Sequence, residues 1–457
     1  MIDAVRGLRI YTAYNANVDV IVHIDGKTIQ GLIKEFGPKA VRERIEEYPR
    51  EIREPLDFVA RLVHALKFGK PVAVPLVNED LNEWFDSRFK YEMESIGGQA
   101  GIIANLLASL GLRRVITYTP FLPKRLANLF HPSVLYPTVD GKLVLKPIRE
   151  AYRDGDPVKV NRIFEFRKGT EFRLGDEVIE VPHSGRFIVS ARFETLSRIE
   201  TRDELRPYLP EIGKLVDGAI LSGYQGLRLS YSDGKDANYY LRKAKEDIRL
   251  LKKEADIKVH VEFASIQDRK LRKRVMNNIF PLVDSVGMDE AEIAHILNVL
   301  GYPDLADRIF LYNRIEDTVL GGKIILDELN FEILQVHTIY YLIYITHRDN
   351  PLTEEELMRS LEFGTTLAAA RASLGDIRGP KDYEVGLRVP FNDRGEYVKL
   401  RFEEAKSRLR MREYKVVIVP TRLVPNPVST VGLGDTISAG AFTSYLTMLK
   451  KRGALPG

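Results

Sequence analysis

Cysteine is missing from all 457 residues, which rules out disulfides, thiolate metal sites and a cysteine nucleophile. Net charge is nearly missing as well: 68 Lys and Arg against 64 Asp and Glu leave +4, with the signs interleaved along the chain. That pattern describes a solvated, ion-paired surface and argues against a nucleic-acid footprint. Long apolar runs are lacking. The longest, around Ile333 to Ile345, contains His337 and falls short of a membrane span. Met1-Ile2-Asp3-Ala4 lacks the pattern of a secretory signal, so a cytoplasmic protein is expected. Neither the lysine-containing phosphate loop nor G-x-G-x-x-G occurs.

What is present describes a folded protein of two structural units, with 44% hydrophobic and 29% charged residues. Abundant Lys, Arg and Glu without Cys fits a thermophile. Strands and helices alternate from Val216 onward, which predicts a mainly parallel sheet with covering helices, an α/β fold. Between about Val139 and Glu194, short alternating segments separated by Gly, Asp and Pro read as an antiparallel meander. The reading is therefore a large α/β unit over 1–17, 34–68, 80–138 and 195–457. A smaller β-sheet lid, over 18–33, 69–79 and 139–194, is inserted into it.

Chemistry concentrates near the end of the chain. In Ser429-Thr430-Val431-Gly432-Leu433-Gly434-Asp435-Thr436 two glycines allow a tight turn, and the small, apolar residues beyond read as a buried helix. Backbone N–H groups at a helix N-terminus favour anions, and Asp435 could take a proton from a hydroxyl there. Taken alone, the turn reads more readily as an ordinary strand-to-helix connection with an acid in the first helical turn.

Other segments carry similar pairs of readings. Gly97-Gly98-Gln99-Ala100-Gly101 opens a helix and could hold sugar hydroxyls. His260 and Glu262 share one face of a strand, as a working acid or a buried ion pair. Asp289 and Glu292 have the spacing of a capping box, or lie near Mg²⁺, which keeps several of its waters. Lys159, Arg162, Arg167, Lys168, Arg186 and Arg192 crowd the lid, as a solvated face or as phosphate ligands.

In order, Asn15–Asp19, Gly97–Asn105, Gly185–Ser190, His260–Ala264, Gly287–Glu292, His337-Thr338 and Thr421–Ser438 resemble the motifs of the archaeal ADP-dependent sugar kinases. That family is a branch of the ribokinase-like superfamily. The resemblance implies a Rossmann-like core with a β-sheet lid, and Mg²⁺-dependent transfer of the β-phosphoryl of ADP to a sugar, leaving AMP, as a glycolytic step. It implies Asp435 as base, Gly432 and Gly434 as anion hole and Arg186 on the transferring phosphate. Glu262 and Glu292 match the acidic Mg²⁺ motifs, although the second motif begins here with Asp289 where the family usually has Asn. Asn15, Asp19, Gly98 and Gln99 match sugar contacts, and His337, Val424 and Thr430 the nucleotide surroundings.

Ala73 aligns with a glutamate that glucokinases of the family place on a glucose hydroxyl. With Lys159 and Arg192 as phosphate ligands, it favours fructose 6-phosphate over glucose. A glucokinase or bifunctional enzyme, ATP as donor, and a catalytically silent sugar- or nucleotide-binding protein are the alternatives. The intact Gly432, Gly434 and Asp435 oppose the last. Oligomeric state is not readable from the sequence.

Overall fold

The computed structural model describes residues 1–69, 72–406, 408–409 and 411–456. Its largest element is a ten-stranded sheet. From one edge to the other the strands run Tyr414–Pro420, Tyr341–His347, Ile333–His337, Ser285–Met288, Lys258–Glu262, Gly218–Leu221, Arg9–Ala13, Arg114–Thr117, Val134–Val139 and Leu143–Pro147. The seven strands from Ile333–His337 to Val134–Val139 pair in parallel, and antiparallel strands flank them at both edges. Helices on both faces cover it. The central strands are apolar and fully buried, as Gly218–Leu221 and Ser285–Met288 show, because such a sheet has no solvent face.

The apolar run from Ile333 to Ile345 is two strands rather than one. Thr338 turns the chain by accepting the Tyr340 and Tyr341 amides on its hydroxyl at 3.2 and 3.1 Å. The closing helix, Leu433–Lys451, is buried at every residue from Thr436 to Leu449. Its small residues explain how it fits: a Cβ at Gly440 would stand 3.0 Å from the Gly364 Cα of the neighbouring helix Glu354–Leu374.

A second sheet of five strands has the order Val72–Leu76, Gly185–Ala191, Val160–Phe166, Asn17–His23 and Met93–Gly97. Its pairings are mixed, parallel at the first and third contacts and antiparallel at the other two, which corrects the expected antiparallel meander. Within this unit, Glu171–Leu174 and Glu177–Glu180 form an antiparallel hairpin.

The segments that build the two units also differ from the expected ones. Helices Pro38–Glu47 and Pro55–Phe68 supply Val41, Phe58, Val59 and Leu62 to the second sheet's core, with Phe164 and Phe187. A sheet with one apolar face needs helices to cover it, and these are the ones that do. Met93–Gly97 joins the second sheet, whereas Leu143–Pro147 extends the large one. The sequence Gly69-Lys70-Pro71 predicts a helix stop; Gly69 takes the left-handed conformation (φ 57°) at the end of Pro55–Phe68, while Lys70 and Pro71 lie outside the described residues.

Candidate active site

In open α/β sheets ligands bind beyond the carboxyl ends of the strands, and the polar residues collect there. Asn15 follows Arg9–Ala13, Gln225 follows Gly218–Leu221, and Glu262 ends Lys258–Glu262. Asp289 follows Ser285–Met288, His337 ends Ile333–His337, and the loop leading to Gly432 follows Tyr414–Pro420. The second sheet faces this row. Strand register puts Asp19, Asn161, Arg186, Ile188, Ser190 and Ala73 on one of its faces.

The glycine turn caps the buried helix. Gly432 is the N-cap in the left-handed conformation, φ 69°, and Asp435 lies in the first helical turn. A Cβ at Gly432 would meet Ile102 at 2.9 Å, so both the backbone angle and the space require glycine. Burial pushes the Asp435 carboxyl up to about 7, the Glu262 and Asp19 carboxylates add to this, and the Arg371 guanidinium opposes it. A base poised near neutrality is what a hydroxyl proton acceptor needs.

Glu262 is buried and also raised to about 7, by burial first. Its partners are neutral or distant: His260 Nε2 at 3.3 Å and His337 Nε2 at 3.8 Å. His260 is buried, hydrogen-bonded to Ser285 Oγ at 2.7 Å and lowered to about 3 by burial. It therefore holds Glu262 as a neutral imidazole, and the buried ion pair entertained for these two residues does not form.

Glu292 completes a capping box. Its Oε2 accepts the Asp289 amide at 2.9 Å and its own amide donates to Asp289 Oδ1 at 2.8 Å. Burial raises its pKa, as do the Asp289 and Glu262 charges.

These acids repel one another and no Lys or Arg lies within ion-pair distance of Glu262 or Glu292 among the described residues. Nor is there, among them, a cluster of three or more His, Asp or Glu side chains able to hold a metal. Two under-neutralised carboxylates fit a Mg²⁺ that keeps its waters and arrives with phosphate oxygens.

Around the opposite wall, Asp19 accepts hydrogen bonds from Asn17 at 2.6 Å and Asn161 at 3.2 Å, and burial raises it to about 6. Lys159 donates to Asn15 Oδ1 at 3.2 Å. Burial and the Arg192 charge bring Lys159 down to about 7, against the pull of Asp19. Arg192 is lowered by burial and donates to the Gln225 carbonyl at 3.3 Å. Neither cation has a carboxylate within ion-pair distance among the described residues, and Lys159 lines a cleft with Asn15, Gly223 and Arg198.

Gly98, φ 75°, is the N-cap of Gln99–Ser109, and a Cβ there would meet the Asn15 carbonyl at 2.5 Å. Gln99 accepts from Gln225 at 3.0 Å and donates to the Glu262 carbonyl at 3.4 Å. Arg186 reaches across to the Thr430 hydroxyl.

Some expectations shift in detail. His337 stands beside the turn, where a Cβ at Gly434 would be 3.3 Å from its Nε2. It therefore also lies between the glycine turn and Glu262. Val424 lies half-buried in the loop beyond Tyr414–Pro420. Arg162, grouped with the phosphate-binding arginines, points the other way. It is buried against Tyr91, Asn82 and Asp86 at 2.8, 3.0 and 2.7 Å, because strand alternation puts it opposite Asn161.

Three site residues escaped the sequence. Gln225 follows a strand's carboxyl end and a glycine, a signal that was available. Asn161 needed the strand register. Arg371 sits inside a helix and carries no local signal.

A glycine turn at the head of a buried helix, a near-neutral carboxylate within it, under-neutralised acids and an opposing basic sheet define an α/β phosphotransferase acting on small molecules. Residues 8–444 match the ADP-specific phosphofructokinase/glucokinase conserved region. The chain belongs to that family. It is 77% identical to the ADP-specific phosphofructokinase of Pyrococcus furiosus over 452 residues, 99% of this chain and 100% of that protein. A phosphofructokinase from Pyrococcus horikoshii OT3, solved with AMP, superposes with a TM-score of 0.90 at 74% identity, over 98% of this chain and 99% of that one. An ADP-dependent kinase in complex with fructose-6-phosphate and ADPβS superposes with a TM-score of 0.85 at 40% identity, over 98% and 96%. No helix among the described residues is long and apolar enough to cross a membrane.

Proposed function

We propose that the chain transfers the β-phosphoryl group of ADP to the 1-hydroxyl of fructose 6-phosphate, giving fructose 1,6-bisphosphate and AMP. The observation that carries this is Asp435, a carboxylate near pH 7 in the first turn of a buried helix. The sugar oxygen forms its bond to phosphorus as the bond to the AMP oxygen breaks, and Asp435 takes the hydroxyl proton. The Gly432–Asp435 amides converge on the charge that develops on the transferring group, and Arg186 meets it from the second sheet. Asn15, Asp19, Gly98 and Gln99 orient the sugar, with Lys159 and Arg192 on its 6-phosphate. His337, Val424 and Thr430 border the nucleotide.

Glu262 and Glu292 would hold Mg²⁺ through its waters. When bound, Mg²⁺ supplies positive charge to the phosphate oxygens. Ala73 is exposed on the same sheet face as Asp19 and Arg186, so its own position adds no further acid to repel a sugar phosphate. Both substrates are soluble phosphorylated metabolites, which fits a reaction in the cytoplasm.

A matrix of ADP and ATP against fructose 6-phosphate and glucose tests the reading, with Asp435→Asn as control. Turnover is expected with ADP and fructose 6-phosphate, and its loss in Asp435→Asn by at least ~10²-fold. Turnover on glucose at a similar rate would make the enzyme bifunctional. Activity with ATP alone would overturn the donor assignment.

A further inference from the structure

Arg371 stands in the last turn of the helix Glu354–Leu374, packed behind the glycine turn and nearly buried. Its Nε donates to the Val431 carbonyl at 3.1 Å, and its Nη1 lies 3.3 Å from Asp376. A Cβ at Gly432 would be 3.6 Å from the guanidinium carbon. The helix that carries it is locked to the Asp435 helix: a Cβ at Gly364 would meet the Ile437 carbonyl at 2.6 Å.

We propose that Arg371 is a positioning residue for phosphoryl transfer, fixing the peptide between Val431 and Gly432 from outside the site. In a planar trans peptide the carbonyl and the N–H point in opposite directions. Holding the Val431 carbonyl outward therefore turns the Gly432 N–H inward, toward the anion. Without the clamp, Gly432 keeps a backbone free to rotate, and the carbonyl can swing its lone pairs toward a phosphate. The guanidinium also adds positive charge behind the turn. That charge works against the raised proton affinity of Asp435, which Glu262 and Asp19 press upward from the strands Lys258–Glu262 and Asn17–His23. His337, on Ile333–His337, faces the same turn.

This inference rests on the proposed role of the glycine turn and of Asp435. It is tested with Arg371→Ala and Arg371→Lys in the full chain, assayed with saturating Mg²⁺, ADP and fructose 6-phosphate beside Asp435→Asn. Removing an anion-hole donor costs ~10²–10³-fold in turnover, so a loosened one is expected to cost about 10- to 100-fold. That loss should fall on kcat, with both KM values within about threefold. Arg371→Lys, which can still donate to the carbonyl, should recover most of it, and added guanidinium should raise kcat of the alanine variant only.

Arg371→Ala turning over at the wild-type rate, or losing activity only in step with melting temperature and without response to guanidinium, would overturn the proposal. If the alanine variant does not fold, the lysine variant decides: kcat within threefold supports the clamp, and loss beyond a hundredfold contradicts it. An active Asp435→Asn would instead sink the underlying base assignment.

Discussion

Lys159 enters its cleft with a single hydrogen bond, to Asn15 Oδ1 at 3.2 Å, and its ammonium is held down to about 7 by burial and by Arg192. Near neutral pH the free site is therefore only partly charged. A phosphate dianion favours the ammonium form, so binding draws a proton from solvent above pH 7. The sign follows directly: KM for fructose 6-phosphate should rise with pH above about 7, by up to ~10-fold per unit. Below about pH 6 the sugar phosphate takes its second proton, and affinity should fall again. Lys159→Arg, which stays charged, should flatten the alkaline rise. A KM that is constant from pH 7 to 9 in the wild type would place the phosphate elsewhere. At this scale the sequence was legible where a residue closed an apolar strand or headed a buried helix, as Asn15, Glu262 and Asp435 do. Asn161 and Arg162 are adjacent basic or polar residues on one strand, and only register tells that the first faces the site and the second the lid core.

Within single elements, the helix Glu290–Leu300 shows how one carboxylate serves two ends. Glu292 Oε2 satisfies the Asp289 amide, one of the donors that a helix start leaves free. Its charge is buried beside Asp289 and Glu262. Gln at position 292 keeps an acceptor oxygen and removes the repulsion. Glu292→Gln should therefore melt no lower than the wild type while needing several-fold more Mg²⁺ for half-maximal rate. A lower melting temperature at unchanged Mg²⁺ dependence would leave Glu292 as a cap alone. The strand–helix alternation from Gly218 to Leu300 could be read from apolar periodicity because each element is buried on the large sheet. The second sheet could not. Its strands come from five separated segments, and its covering helices look, residue by residue, like those of the large sheet.

For the whole molecule, the decisive feature is that the proposed proton acceptor and the proposed phosphate-facing cations belong to different sheets. Asp435 and the acids stand on the large sheet and its closing helix, whereas Asp19, Lys159, Arg186 and Arg192 come from the second sheet or its flanks. The chain passes between the sheets within Tyr14–Ala16 and again at Gly98, so the two walls meet at the proposed sugar contacts. Arg186 crosses the remaining gap to Thr430, just ahead of the glycine turn. Its proposed place on the transferring phosphoryl group, rather than on the sugar's 6-phosphate, rests on that reach. Arg186→Ala should lower kcat by about 10²–10³-fold, the loss typical of one charge-stabilising donor, and by a similar factor with any acceptor the enzyme takes. KM for fructose 6-phosphate should move less than about threefold, because uniform binding of the acceptor is untouched. Arg186→Lys should recover only part of the rate, since an ammonium carries the charge without the fork that spans Thr430 and a phosphate oxygen. Steady-state kinetics on the three proteins check this, and a defect confined to the fructose 6-phosphate KM would move Arg186 to the acceptor wall beside Lys159.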